Sequence, residues 1–299
     1  MKENDGILRR GVSRVRGYWD DLRSAYAADR WRGVTRSAGR HLRHAFLRQV
    51  GRGESERALI AANQRYWTAG REEGVPFEDY SHWLGFGPWK DRDRWLKLGQ
   101  AHFGMFERLC LVTGTRRPVR RIVEWGSGGG ANAIHFIREA EEFCGVEISD
   151  ASLKECQRVL SAAGYQGFVP VLIRADAPEQ ALTSAGTGFD FFLSTYVFET
   201  LPTRSYGERV LRVALGLLRP GGLALVQIRY DDGSSRGAQQ KLDYFRHAYR
   251  FTSYRVEEFW KIAAAVGFRP EYVTLIPDWA EGFSGDLYAY FALVKPDPS

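Results

Sequence analysis

From residue 119 onward, short apolar runs alternate with amphipathic stretches, and no other sequence feature constrains the fold as much. Seven segments have strand character: 121–125, 143–148, 168–174, 189–195, 222–229, 269–276 and 287–294. Four stretches between them have helical spacing of apolar residues: 131–140, 150–163, 205–218 and 256–266. This alternation predicts an α/β fold with a doubly wound, mostly parallel sheet. The last two strands follow each other without a helix, so we expect them to pair antiparallel.

The formal charge of +6 is confined to the N-terminal part of the 299 residues. Residues 1–56 hold 13 Lys and Arg against 7 Asp and Glu, so the rest of the chain is neutral by count. The opening MKENDGILRR has no continuous apolar stretch, and no window approaches the roughly 18 apolar residues of a membrane span. Three cysteines without C-x-x-C spacing disfavour a disulfide framework or a zinc cluster. We expect a cytoplasmic protein, peripheral at a membrane if its N-terminus binds one.

Composition divides the chain into three regions. Residues 1–56 are predicted to form a basic helical arm, which either packs as an extension or docks on an anionic membrane surface or another polyanion. Residues 57–118 form an aromatic-rich helical region, with ten aromatics between Tyr66 and Phe106, which acts as a lid or as packing. Residues 119–299 form the alternating domain.

A glycine-rich turn lies between the first strand and the first helix of this domain. The segment VEWGSGGG places Gly126 and Gly128–Gly130 where the backbone turns sharply and helix N–H groups face a ligand. Glu147 ends the next strand about 20 residues later, where a carboxylate accepts both hydroxyls of a ribose. Asp176 ends the third strand. Together these residues predict a ligand with a nucleoside part.

The acid ahead of the glycines selects between two ligand classes. Glu124 ends the first strand, and a carboxylate there would repel the pyrophosphate of a dinucleotide. The same carboxylate suits the cationic sulfonium and ammonium groups of S-adenosylmethionine. We therefore predict S-adenosylmethionine as the cofactor.

The motifs that follow one another in this region resemble those of the class I S-adenosylmethionine-dependent methyltransferases. VEWGSGGG is similar to their first motif, GVEIS to the acidic second, RADAP to the third, FDFFLSTYVFETLP to the fourth, and LLRPGGLALVQIRY to the strand that follows. The resemblance covers roughly residues 120–295. It implies a Rossmann-like, seven-stranded sheet that ends in an antiparallel hairpin. Trp125 departs from the pattern, since the family usually has a small or aliphatic residue there.

The resemblance also implies roles for individual residues. Glu124 and the Gly126, Ser127 and Gly128 segment would hold the methionine part of the cofactor, and Ser194 would line its pocket. Glu147 would bind the ribose, with Ile148 beside it. Asp176 would accept the adenine amino group, with Ala177 next to it.

The identity of the general base depends on the methylated atom, because an oxygen of high pKa needs a base more than an amine does. Thr200 stands where many relatives carry His. The candidates are His82 in the aromatic region, Tyr196 and Glu199 after the fourth strand, Asp231 after the fifth, and His247 in the insertion 231–255. The adjacent Asp231 and Asp232 resemble the metal site of some sugar and catechol O-methyltransferases, in which Glu199 would be the further acid. Turn formation alone also explains the pair, so we assign no metal ligand and leave metal dependence open.

Three functions remain open at this point. The first is O-methylation of a sugar, a glycan or another small hydroxylated acceptor, favoured by the Arg, Tyr and Gln side chains of residues 231–255. The second is methylation of RNA or protein with the basic arm as the docking element. The third is a non-catalytic binding or scaffold protein with the methyltransferase fold. The sequence leaves a homo-oligomer open in each case.

Overall fold

A seven-stranded sheet forms the centre of the molecule. The computed structural model describes residues 54–68, 83, 91–234, 237–239, 244–248, 251–276 and 287–298. The strands are β1 Arg121–Trp125, β2 Glu142–Glu147, β3 Phe168–Leu172, β4 Phe189–Ser194, β5 Leu218–Arg229, β6 Arg269–Ile276 and β7 Tyr288–Val294. Their order is β3-β2-β1-β4-β5-β7-β6. Strands β1 to β5 pair in parallel, and β7 runs antiparallel to both β5 and β6.

Eight α-helices are assigned within the described residues. They are α1 Glu56–Thr68, α2 Arg92–Thr113, α3 Ala133–Phe136, α4 Asp150–Ala162, α5 Gln180–Ser184, α6 Arg204–Leu217, α7 Tyr244–His247 and α8 Val256–Val266. Side-chain caps fix several starts: Asp91 accepts from the first backbone N–H groups of α2, Ser149 from Ser152 N and Thr203 from Tyr206 N. Gly114, at φ 68°, ends α2 in the left-handed conformation.

The sequence predicted the strands and their directions, including the antiparallel tail, which the structure confirms. One helix is shorter than expected: the predicted 131–140 segment is helical only over Ala133–Phe136. The backbone N–H groups of Glu141 and Glu142 both donate to Arg120 O, which places the chain in the extended path of β2. The helix therefore does not continue to residue 140. Helix α5 was not predicted, because its five residues carry no clear apolar period.

Apolar side chains fill both faces of the sheet. On one face, α2 and α3 bring Phe103, Phe106 and Phe136 against Phe191 of β4, with ring centroids 4.6–5.9 Å apart. Helices α6 and α8 cover the other face together with the 3-10 helix Phe198–Thr200. The two faces leave the carboxyl ends of the strands open toward the N-terminal helices.

Helix α1 packs against the insertion after β5. Leu59 and Tyr66 pack with Tyr244 and Phe251, and Tyr244 Oη donates to Thr200 O at 2.6 Å. No helix of the described residues is long and apolar enough to cross a membrane. The predicted basic arm, apart from residues 54–56, lies outside the described residues.

Candidate active site

A cavity opens at the carboxyl ends of β1 and β4, where the strand order changes direction. Ligands of doubly wound sheets bind at this switch point. Its described lining is Asn63, Trp67, Trp83, Trp95, Leu98, His102, Glu124, Trp125, Gly126, Ser127, Gly128, Gly129, Ala131, Asn132, Val146, Glu147, Ile148, Ile173, Thr195, Tyr196, Val197, Thr200, Leu201 and Tyr206. Seven of the predicted site residues are among them: Glu124, Gly126, Ser127, Gly128, Glu147, Ile148 and Tyr196.

The glycine turn is shaped by backbone conformations that other residues rarely adopt. Gly126 has φ 78° and Gly128 φ 50°, both in the left-handed region. A side chain at Gly126 would also collide with Val197, whose Cγ2 lies 2.4 Å from the position of an added Cβ. At Gly128 that position has no atom within 4 Å, so the turn leaves open space beside the cavity. Trp125, despite its bulk, is buried in the wall and leaves this geometry intact.

Glu124 is a buried acid with an unused oxygen. Its Oε1 accepts from Asn132 Nδ2 at 2.5 Å, while Oε2 has no hydrogen-bond partner among the described residues. Burial raises the pKa of this carboxyl to about 8, and the nearby charge of Glu147 adds to the effect. A cation stabilises a buried carboxylate in which one oxygen lacks a hydrogen-bond partner. This arrangement fits the cationic end of S-adenosylmethionine.

Glu147 is held in place by the turn itself. Its carboxylate accepts from Gly128 N at 3.2 Å and from Ile148 N at 2.8 Å, which fixes its orientation toward the cavity. Burial raises its pKa. Each carboxylate oxygen has further lone pairs, so two ribose hydroxyls still find acceptors here. Ser127 Oγ, also buried, has no partner in the described part of the chain.

Three expected cofactor contacts, Ser194, Asp176 and Ala177, are not among the described residues that line the cavity. Ser194 is fully buried and donates to Trp125 O at 3.3 Å, so Thr195 and Tyr196 form the wall at that point. Asp176 is half exposed and pairs with Arg174 at 2.5 Å, which lowers its pKa. Ala177 bonds back to Arg174 O in the same turn.

Helix α1 separates Asp176 from the cavity. Gln64 of α1 donates to Ile148 O at 3.1 Å and accepts from Ala175 N at 2.8 Å, spanning the ends of β2 and β3. Asp176 therefore faces an outer cleft, lined also by Arg57 and Gln64. Its contact with adenine stays a prediction that requires α1 to move.

Replacing the two strand-end acids tests this arrangement. We expect Glu147→Gln to weaken binding of S-adenosylhomocysteine by about tenfold or more, because it removes a charge-assisted acceptor inside the cavity. Asp176→Asn should change the affinity by less than about threefold, since solvent and Arg174 already satisfy this carboxylate. Isothermal titration measures both. Equal losses in the two variants would show that α1 moves aside and lets Asp176 reach the nucleobase.

The far end of the cavity is aromatic. Trp83 lies against Gly129, where an added Cβ would stand 2.5 Å from the Trp83 Cβ, and its indole donates to Ser152 Oγ at 3.1 Å. Trp95 and Leu98 of α2 continue this wall. Such a surface excludes water and contacts the apolar faces of ring-shaped molecules.

Tyr196 joins the aromatic end to the turn after β4. Its backbone has φ 57°, a conformation that non-glycine residues rarely adopt, and its N–H donates to Gln227 Oε1. Unusual backbone conformations of this kind are concentrated at functional sites. The ring lies 5.4 Å from that of His102 and 5.1 Å from that of Tyr288.

The sequence analysis overlooked His102 and Asn132. His102 of α2 lines the cavity, is fully buried, and has its pKa lowered to about 4 by burial, so it is neutral. The sequence could have predicted the burial of His102, because this residue lies one helical turn from both Leu98 and Phe106, on the apolar face of α2. Asn132 carried no such signal, since it follows the glycine turn as one polar residue among several.

Two of the remaining candidate bases, Glu199 and Asp231, are not among the described residues that line the cavity. Glu199 is buried in the 3-10 helix after β4. Asp231 accepts from Gly233 N at 2.8 Å, and Asp232 from Ser234 N at 2.9 Å, which is the turn role weighed for this pair. His82 lies outside the described residues, as does the side chain of His247.

The fold and the cavity define the chain as a protein with the class I methyltransferase architecture, and sequence comparison agrees. Residues 123–224 match the family model described as a methyltransferase domain. The chain therefore carries a methyltransferase domain over these residues, and the cofactor of such domains is S-adenosylmethionine. No curated protein shows a significant sequence match to the chain.

Solved structures of methyltransferases have similar folds at low sequence identity. The N-methyltransferase NodS from Bradyrhizobium japonicum, in complex with S-adenosyl-L-homocysteine, matches with a TM-score of 0.50 and 13% identity over 80% of this chain and 99% of its own. Magnesium protoporphyrin IX methyltransferase (ChlM) from Synechocystis PCC 6803, with bound S-adenosylhomocysteine, has a TM-score of 0.49 and 14% identity over 79% of this chain and 93% of its own. At 13% identity, the similarity to NodS supports the fold alone.

Proposed function

We propose that the enzyme methylates an oxygen atom of a small hydroxylated acceptor, in the first place a sugar or glycan, with S-adenosylmethionine as the donor. One observation carries this proposal. A single cavity joins two acids at the glycine turn, the buried Glu124 and the partly buried Glu147, to an aromatic end that holds Trp83, Trp95 and Tyr196.

Side chains at the two ends of the cavity have different roles in the proposed reaction. When bound, S-adenosylmethionine would supply an electrophilic methyl group; in the transfer the C–S electron pair would stay on sulfur, and the acceptor hydroxyl would release its proton to water. Glu124 balances the positive charge of the donor, and Glu147 orients the ribose. Tyr196 hydrogen-bonds the acceptor hydroxyl, and Trp83 and Trp95 exclude water, so that alignment contributes much of the rate.

The charge of the lining favours a small neutral acceptor. Among the lining residues that the structure describes, Glu124 and Glu147 are the charged side chains, and Lys and Arg are absent. A phosphate-bearing acceptor such as RNA would find no cationic partner there. Aromatic rings beside uncharged hydrogen-bonding groups suit a sugar or another hydroxylated ring.

Transfer of a labelled methyl group tests the proposal. The panel holds neutral glycosides and phenols, primary amines, RNA and a protein substrate, each offered to the full chain with methyl-labelled S-adenosylmethionine. We expect label on a neutral hydroxylated compound. Label confined to amines, RNA or protein would overturn the acceptor class, and absence of S-adenosylmethionine binding up to millimolar concentration would overturn the whole proposal.

Tyr196→Phe refines this test. The variant keeps the ring packing but loses the hydroxyl, so we expect kcat on the acceptor identified above to fall by about 100-fold. Affinity for S-adenosylhomocysteine should stay within about twofold, because the glycine turn is untouched. Tyr272→Phe, on strand β6 away from the cavity, is the matched control and should keep full activity.

A further inference from the structure

A buried amide connects the cofactor end of the cavity to its aromatic end. Asn132 Nδ2 donates to Glu124 Oε1 at 2.5 Å and to Thr195 Oγ1 at 2.9 Å. The other atom of the same amide, Oδ1, lies 2.8 Å from His102 Nδ1. All four side chains are buried. Asn132 therefore hydrogen-bonds the acid of the cofactor end and the histidine of the aromatic end with one amide group.

The hydrogen bonds continue beyond the imidazole. His102 Nε2 lies 3.2 Å from Tyr290 Oη of strand β7, and a side-chain hydrogen bond links Tyr290 to Tyr196. Tyr290 is fully buried behind the cavity, whereas Tyr196 lines it. An unbroken series of side-chain hydrogen bonds thus runs from Glu124 to Tyr196.

The partners of the amide determine which imidazole nitrogen carries hydrogen. When Glu124 is ionised it only accepts, so the Asn132 NH₂ group faces it and the amide oxygen faces His102. That oxygen needs a donor, so the hydrogen of the neutral imidazole sits on Nδ1. Nε2 then accepts from Tyr290 Oη, and Tyr290 in turn accepts from Tyr196.

Protonation of Glu124 reverses the direction of donation in each of these hydrogen bonds. A proton taken up on Oε1, the oxygen that faces Asn132, makes the carboxyl a donor to the amide oxygen, and the Asn132 NH₂ group then turns toward His102. Nδ1 must now accept, and the imidazole hydrogen moves to Nε2. His102 then donates to Tyr290, and Tyr290 donates to Tyr196.

We propose that His102 is a positioning residue that sets the direction in which the Tyr290 and Tyr196 hydroxyls donate, and that Asn132 makes this direction follow the ionisation of Glu124. The link to catalysis rests on the proposed function. A bound cationic cofactor holds Glu124 ionised, so the loaded enzyme has the Nδ1–H tautomer. In that state Tyr196 donates to Tyr290 and its oxygen is ready to accept a hydrogen bond from the acceptor hydroxyl.

Among the described residues, two other titratable groups act on Glu124 or are affected by it. Glu147 of β2 acts on it electrostatically, and Cys156 of α4 remains a thiol because burial raises its pKa well above the usual value. His102 itself stays neutral above pH 5, since burial holds its pKa at about 4. Glu147 is thus the other group that needs a control.

Nitrogen NMR of the full chain with ¹⁵N-labelled histidine reads the tautomer directly. Without cofactor, we expect His102 to be Nε2–H at pH 6 and Nδ1–H at pH 9, and S-adenosylmethionine, which carries the sulfonium charge, should drive it to Nδ1–H at pH 7. One unchanged tautomer under all three conditions would overturn the proposal. Failure of S-adenosylmethionine to bind would refute the proposed function, whereas the pH-driven change would persist.

Variants observed in the same NMR spectrum test whether the ionisation of Glu124 controls the His102 tautomer. In Glu124→Gln the partner of Asn132 no longer ionises, so the tautomer should stay the same from pH 6 to pH 9. Glu147→Gln removes the other carboxyl and should retain the change, and His135→Gln, a histidine outside the series that bonds to Leu96 O, should retain it too. A change of tautomer that survives in Glu124→Gln would overturn the assignment. The wild-type titration decides the matter even where a variant fails to fold.

Discussion

Replacing Glu124 by Gln is expected to abolish cofactor binding and to stabilise the protein at the same time. Removing the partner of a desolvated cation weakens binding by about 100-fold or more. The free enzyme, by contrast, no longer holds a buried carboxylate whose Oε2 has no hydrogen-bond partner among the described residues. We expect the free energy of unfolding to rise by about 1–4 kcal/mol above pH 8.

The pH dependence of this gain follows from the raised pKa. The Glu124 carboxyl has a pKa of about 8 in the folded protein and an ordinary value of 4.5. Between these values the folded state holds a proton that the unfolded state has lost, so wild-type stability falls as pH rises toward 8. The variant lacks this loss, and its advantage is therefore largest above pH 8 and disappears below about pH 4.5.

Thermal unfolding at pH 6 and pH 9, with titration of S-adenosylmethionine, measures both effects. Glu141→Gln is the matched control, because this acid is exposed and pairs weakly with Arg120. It should change neither quantity. Unchanged cofactor affinity in Glu124→Gln would show that this acid is not the partner of the cofactor.

Gly99→Ala is expected to be the most damaging small substitution in helix α2. An added Cβ would lie 1.8 Å from Ala131 O and 2.5 Å from its carbonyl carbon, so α2 and the segment after the glycine turn must move apart. Overpacking against backbone at a buried position costs about 3 kcal/mol, or a fall in Tm of about 6–10 °C. Because Ala131 lines the cavity, affinity for S-adenosylhomocysteine should also fall.

The same helix supplies the control. Gly104→Ala adds a methyl group that meets no atom within 4 Å, on the exposed face of α2. This variant should gain about 0.5–1 kcal/mol, since alanine is the better helix former. Thermal unfolding compares the two variants directly. A Gly99→Ala protein as stable as Gly104→Ala would mean that α2 does not dock closely on the segment after the glycine turn.

Sequence by itself predicted the parts of the site that lie next to one another along the chain. Glu124, the glycine turn and Glu147 are adjacent to strand ends, and apolar runs identify those strands without knowledge of the rest of the fold. The antiparallel tail was predicted for the same reason, because the two segments follow each other directly. These features also determined the fold class and the cofactor.

Tertiary structure alone decided which distant residues complete the cavity. His102 meets Asn132 and Tyr290, which lie 30 and 188 positions away, and Gln64 meets Ala175 across 111 positions. The spacing of apolar residues along the chain does not predict such contacts, because they arise only when helices α1 and α2 pack across the carboxyl ends of the strands. The chain's local patterns therefore specify the cofactor end of the site, and the packing of the N-terminal helices specifies the end that faces the acceptor.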